Sequence, residues 1–343
     1  MQLKYYPNQL EFKHPFKIAL NARTSTSVVF VELKAASFSG YGEASLPPYL
    51  KENQASVEQY CKKAAVLLEN YEGEINLNEL LNVLWNCMPE NYAAKAALDM
   101  AAHDLVGKIS GRNIREIYGI RGHTNFPTFF TIGITDNEKE LHQKLDEAKE
   151  YSLLKLKLGS TNDRMLVSNV RSYTDKPIAV DVNQGWKTKE EALDMIQWLQ
   201  TKNVLFVEQP MNKKMLDEHG WLKEKSPLPI IADESLQTFD DLDVVANCFD
   251  GINIKLMKCG GIREAFKIIT KARNLKLKIL IGCMSETSCA NSAAAVLAGL
   301  ADWVDLDGPL LIKEDFFWGL NFSRGKIYLN DEPGLGVERQ KLL

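Results

Sequence analysis

Three acids recur at nearly one interval along the chain. Asp181, Glu208 and Asp233 lie at the ends of the short apolar runs PIAVDVN, VLFVEQP and PIIADES, 25 to 27 residues apart. If these runs are adjacent strands, about 4.8 Å apart, the three carboxylates converge and repel. Each acid alone reads as a helix cap. Three in register read better as ligands of a divalent cation. An all-oxygen set without His or Cys favours a hard ion, Mg²⁺ first and Mn²⁺ second, one per chain. Two lysines alternate in LLKLKLG, so Lys155 and Lys157 share one face while Leu154, Leu156 and Leu158 share the other. A further lysine, Lys255, sits in NIKLM. A single strand-end lysine can snorkel to solvent. Lysines on both sides of a metal site suggest bases, with pKa values expected to be lowered by the cation and a second ammonium. That set can remove a proton α to a carboxylate, with Mg²⁺ offsetting the charge of the enediolate, and return one to the other face. The result is racemisation or epimerisation by 1,1-proton transfer.

The elements that must hold these residues follow from the texture of the chain. From Pro127 onward, eight apolar runs (PTFFTIGI, SLLKLKLG, PIAVDVN, VLFVEQP, PIIADES, GINIKLM, KILIGCM, DWVDLDG) alternate with amphipathic stretches at intervals of about 25 residues. Eight strand–helix units imply a parallel (β/α)8 barrel with its chemistry at the C-terminal mouth. A doubly wound open sheet is the competing layout, but no GxGxxG follows the first run. Thr135 with Glu138, and Thr188 with Glu191, fit capping boxes. The first 120 residues read as an α+β capping domain, with strands in Val28–Ala44 and helices at Ser56–Asn70 and Tyr92–Lys108. Residues 121–320 form the barrel, and 321–343 return to the cap.

The motifs KLKLG, VDVNQGW, VEQP, ADES and NIKLMKCGG resemble the enolase superfamily, in its muconate-lactonizing subgroup, over essentially the whole chain. The resemblance implies an enolase-like barrel with Lys157 and Lys255 as catalytic bases. It makes Asp181, Glu208 and Asp233 the Mg²⁺ ligands, with Asn183 an ancillary neighbour. Asp305-Leu306-Asp307 resembles the D-x-D of bacterial dipeptide epimerases, where paired carboxylates hold a substrate ammonium. Arg23, in the loop NARTSTS, matches the position that holds a glutamate side-chain carboxylate in the L-Ala-D/L-Glu epimerases, which recycle murein peptides. Thr131, Lys155 and Cys283 match other substrate-lining positions.

These matches imply a dipeptide substrate inverted at the α-carbon of its C-terminal residue, no nucleic-acid or membrane partner, and room for a homo-oligomer. The alternative is another enzyme of the subgroup: o-succinylbenzoate synthase, a cycloisomerase or an N-acylamino acid racemase. Against the lyases and cycloisomerases, the D-x-D answers an ammonium that their substrates lack. A non-catalytic relative would be expected to have lost a base or ligand, and none is missing.

Composition agrees. The 343 residues carry 41 Lys+Arg against 45 Asp+Glu, and 45% are hydrophobic, which excludes disorder and a basic nucleic-acid binder. No apolar run reaches spanning length and no leader is evident, so a cytoplasmic home is expected. The six cysteines show no CxxC and read as reduced thiols. GYGEA lacks the features of a phosphate loop, and CGG reads as a turn into a helix. His103 with Asp99 reads as a packed pair, and Glu286 either braces Lys255 or caps a helix.

Overall fold

The structure is a computed structural model that describes residues 1–17, 22–71, 74–135 and 137–340, with the side chain of Phe16 left aside. The cap opens with an antiparallel sheet, β1 (Gln2–Lys17), β2 (Ala22–Ala35) and β3 (Phe38–Leu46), in the order β1-β2-β3. Helices α1 (Gln54–Glu69), α2 (Leu77–Trp85) and α3 (Tyr92–Ser110) follow. The alanine run of α3 lets β3 approach closely. A Cβ on Gly42 would lie 1.9 Å from the Ala97 carbonyl oxygen, and one on Gly40 would lie 2.2 Å from that of Ala101. Glycine in GYGEA therefore serves packing.

After β4 (Asn125–Pro127), the eight apolar runs become eight parallel strands: β5 (Phe129–Ile132), β6 (Leu153–Lys157), β7 (Ile178–Asp181), β8 (Val204–Glu208), β9 (Ile230–Ala232), β10 (Gly251–Ile254), β11 (Lys278–Gly282) and β12 (Trp303–Asp305). They pair in chain order, with helices between successive strands, as a nearly closed (β/α)8 barrel. Side chains join the seam between β12 and β5. Thr128 Oγ1 accepts the Leu306 N–H at 3.0 Å, and Asp307 Oδ2 accepts the Thr131 N–H at 2.7 Å. The unit after β12 holds only a four-residue helix, Gly308–Leu311.

Strand alternation sets the barrel interior in layers. Phe129, Ala179, Phe206, Ile231 and Leu280 form an apolar plug. Two residues further along four of those strands come Thr131, Asp181, Glu208 and Asp233, so the polar layer lies directly toward the mouth.

Helix Lys189–Gln200 starts at Thr188, whose side chain accepts the Glu191 N–H. Helix Glu138–Glu147 instead starts at Asn137, capping Glu140, while the Thr135 hydroxyl bonds the Glu140 carboxylate. The expected Thr135/Glu138 box is thus displaced by two residues, because Asn137 offers a cap nearer the helix. Near the C-terminus, β13 (Phe317–Trp318) pairs with β16 (Glu338–Arg339), and β14 (Asn321–Ser323) and β15 (Lys326–Tyr328) join β4. Residues beyond β15 touch the cap, where Asp104 accepts the Leu335 N–H at 2.9 Å; 341–343 lie outside the described residues.

Candidate active site

The polar layer gathers the three acids. Asp181 ends β7 opposite Glu208 on β8, and Asp233 follows β9. Each offers an oxygen within 4.8 Å of those of the other two, and all three are buried. The residues that follow are bent to suit. Asn183, Gln184 and Gln209 have φ of 46°, 67° and 37°, a left-handed region costly to non-glycine residues and often found at functional sites. Gln209 Oε1 accepts the N–H groups of Asp233 and Ser235, and Asn183 N–H donates to Asp181 Oδ1.

Four lysines surround the acids. Lys157 Nζ lies 2.6 Å from Asp181, and Lys255 Nζ lies 2.8 Å from Asp233. Along the barrel wall the order is Lys157 on β6, Asp181, Glu208, Asp233, then Lys255 after β10, so the two amines flank the trio. Strands β6 and β10 stand four places apart in the eight-strand order, on opposite sides of the barrel. Lys155 lies deeper, 2.7 Å from both Glu208 and Asp305 and 3.4 Å from Asp181.

Lys258 carried no role in the sequence reading. It donates to Asp233 Oδ1, the Asp233 carbonyl and the Asn253 carbonyl at 2.6, 2.6 and 3.0 Å, so its three donors are all engaged. Its place three residues after Lys255 in NIKLMKCGG was the available signal. Asn253 braces Glu208 Oε1 at 2.7 Å.

The charges act strongly on one another. Burial disfavours the Lys155 ammonium, but Asp305, Glu208 and Asp181 outweigh it and hold its pKa well above the ordinary value. Burial disfavours the Lys255 ammonium too, but Asp233 above all raises its pKa; the lowering expected from the sequence belongs to the site with its cation bound. Burial and the Asp181 charge push Glu208 up to about 7, and burial with Asp305 does the same to Asp307. Burial opposes the charged form of Asp233, yet Lys255 and Lys258 hold it well below the usual carboxylate range. Burial and Asp233 lift Glu234 to about 8.

Among the described residues Asn183 Oδ1, Glu234 Oε2 and Asp305 Oδ1 have no hydrogen bond, and Glu208 Oε2 meets only the Lys155 ammonium at 2.7 Å. Carboxylates this crowded, with lone pairs left over, fit a hard divalent cation.

Every residue expected to line a substrate site borders one cavity above this layer. Arg23, Thr131, Lys155, Cys283, Asp305 and Asp307 line it together with Lys157, Lys255 and Asn183. Arg23 belongs to strand β2 rather than a loop, because the β1–β2 ladder extends to Ala22; Asn21 lies outside the described residues. The sequence reading missed Tyr49, Met284, Ser285 and Leu311 on the same wall. Tyr49 follows the cap strand β3, where nothing in the local pattern points to the barrel. Glu286 is not a helix cap, since Thr287 caps Ser288–Ala295; its carboxylate accepts the Met284 N–H at 3.1 Å, and burial raises its pKa to about 7.

Comparison with known proteins agrees with this geometry. Residues 138–341 match the model described as enolase C-terminal domain-like, and residues 2–119 match the N-terminal domain of mandelate racemase / muconate lactonizing enzyme. An L-Ala-D/L-Glu epimerase of Bacteroides thetaiotaomicron is 46% identical over 98% of this chain and 88% of its own. An L-Ala-D/L-amino acid epimerase of Pedosphaera parvula is 36% identical over 97% of each chain. Among solved structures, a dipeptide epimerase of Cytophaga hutchinsonii, complexed with Mg and D-Ala-L-Val, superposes with a TM-score of 0.91 at 25% identity, covering 100% of this chain and 96% of that one.

Proposed function

The chain belongs to the mandelate racemase / muconate lactonizing enzyme family of the enolase superfamily and is an isomerase of amino acid derivatives, and we propose that it epimerises dipeptides at the α-carbon of their C-terminal residue. The preferred substrate is L-Ala-L-Glu or L-Ala-D-Glu, and the cellular role is recycling of murein peptides in the cytoplasm. One observation carries the reading. Lys157 and Lys255 flank three convergent acids and line the same cavity as Arg23 and the Asp305/Asp307 pair.

Asp181, Glu208 and Asp233 would hold one Mg²⁺, which when bound supplies positive charge beside the substrate carboxylate and so eases loss of the α-proton. Asp305 and Asp307 receive the substrate ammonium, whose charge favours their ionised forms. Arg23 receives the γ-carboxylate of the glutamate side chain through its planar fork. These two ends fix the α-carbon between the amines. One lysine, as the neutral amine, accepts the α-proton; the other, as the ammonium, donates a proton to the opposite face. The configuration inverts, and each lysine ends in the other's starting state, so the reverse reaction uses the same pair.

Incubation with L-Ala-L-Glu and Mg²⁺ in D₂O tests this. We expect deuterium at the glutamate α-carbon together with L-Ala-D-Glu, and loss of both on chelation of the metal. Absence of exchange from either isomer with Mg²⁺ present refutes the reading.

A further inference from the structure

The geometry points to Tyr49 as a second donor, beside Arg23, for the anionic side-chain group of the substrate; this rests on the epimerase reading above. Among the described residues nothing answers the charge of Arg23. Its Nε is buried without a hydrogen bond, and Nη1 makes only a long 3.4 Å contact to Thr26 Oγ1. No carboxylate pairs with it among the described residues, and it lies over the Phe12 ring at 5.6 Å. Burial accordingly lowers its pKa. A desolvated guanidinium in this state is stabilised by an arriving anion.

Tyr49 sits at the same corner. Strand β3 ends at Leu46, paired with Ser27 of β2, and the turn that follows, closed by the Leu50 N–H to the Pro47 carbonyl at 3.0 Å, carries Tyr49. Arg23 lies four residues before Ser27 on the paired strand β2. Both side chains line the cavity that holds Lys255. The Tyr49 hydroxyl donates to Met284 Sδ at 2.8 Å. A thioether is a weak acceptor, so a carboxylate in reach takes the bond from it. Tyr49 as a whole is 46% exposed, and an ordinary phenol pKa of about 10 leaves its hydroxyl protonated at neutral pH, so it stays a donor. Arg23 thus supplies charge and Tyr49 an aimed hydroxyl. A carboxylate satisfies both, whereas an amide of the same shape brings no charge to answer Arg23.

The test is Tyr49→Phe, which keeps the ring and removes only the hydroxyl. Exchange in D₂O with saturating Mg²⁺ gives kcat/KM for L-Ala-L-Glu and for isosteric L-Ala-L-Gln, in wild type and variant. We expect the glutamate-over-glutamine preference to fall about tenfold or more, the size of one hydrogen bond to a charged group. Most of the loss should appear in KM for the glutamate dipeptide, with the thermal midpoint held. An unchanged preference, or an equal loss on both dipeptides, overturns the inference, because Tyr49 then only packs. A wild type that exchanges both dipeptides without preferring glutamate also overturns it while leaving epimerisation intact. A wild type inert to both removes the parent reading and this one together.

Discussion

The mouth of the barrel and the seam where the cap meets it both bury acids, and they treat them in opposite ways. At the seam, Glu43, Asp99 and Asp104 are 0%, 6% and 0% exposed. Each accepts backbone N–H groups from another part of the chain. Glu43 takes those of Thr287 and Ala290, together with the Thr287 hydroxyl. Asp99 takes that of Ile262 at 2.6 Å, at the start of helix Ile262–Asn274. Asp104 takes those of Tyr41 and Leu335, beside Lys108 at 2.7 Å. At the mouth, equally buried acids face one another and lysine ammoniums, and some of their oxygens have no hydrogen bond among the described residues. Depth alone therefore does not mark a functional acid. What marks it is the partner: fixed backbone dipoles hold a structural carboxylate, while a shortage of them leaves one free to bind.

The comparison breaks most visibly when one acid of each kind is neutralised. Glu208→Gln should lower turnover at least about 10²–10³-fold, as loss of a preorganised charged group does, and abolish Mg²⁺ binding in calorimetry. Its unfolding free energy should change less than that of Asp104→Ala. The latter leaves the Tyr41 and Leu335 N–H groups without their partner, while Lys108 keeps the Ser39 and Val337 carbonyls, and should cost about 2–4 kcal/mol in denaturant titration, with turnover per folded molecule nearly unchanged. Should both variants lose stability equally and activity equally, the division between the two regions fails.

A smaller effect sharpens the seam itself. Burial and the nearby Glu286 push Glu43 up to about 8 from an ordinary 4.5. Between those values the folded chain keeps a proton that the unfolded chain has lost. The stabilisation linked to Glu43 is thus complete below pH 4.5 and disappears as pH rises through about 8. Glu43→Gln cannot titrate, so its stability should decline less than wild type between pH 5 and pH 8. Parallel stability curves for the two proteins would show that Glu43 is already ionised across that range.

Much of the mouth was legible in the sequence because a parallel barrel strand should be apolar throughout, and KLKLG, AVDVN and FVEQP visibly are not. Charge at a repeated position betrays the layer. The seam was not legible. Glu43, Asp99 and Asp104 are satisfied by backbone groups remote in sequence, Glu43 by Thr287 and Asp99 by Ile262, and backbone donors leave no mark in residue types. Asp99 with His103 reads as a packed pair, and His103 does bond the Asp99 carbonyl at 2.7 Å. Its task of capping a barrel helix appears only in three dimensions, where Gly261 leaves room for it: a Cβ there would lie 2.4 Å from the Asp99 carboxylate. Tyr49 escaped notice for the same reason, since the cap meets the barrel through tertiary packing rather than local pattern.

The central claim is that two amines serve opposite faces of one α-carbon. Lys157→Ala and Lys255→Ala, each incubated in D₂O and Mg²⁺ with L-Ala-L-Glu and separately with L-Ala-D-Glu, test it directly. The account predicts that neither variant epimerises, and that each still exchanges the α-hydrogen of one isomer, a different isomer for each variant. Exchange of the same isomer by both, or continued epimerisation by either, would contradict it.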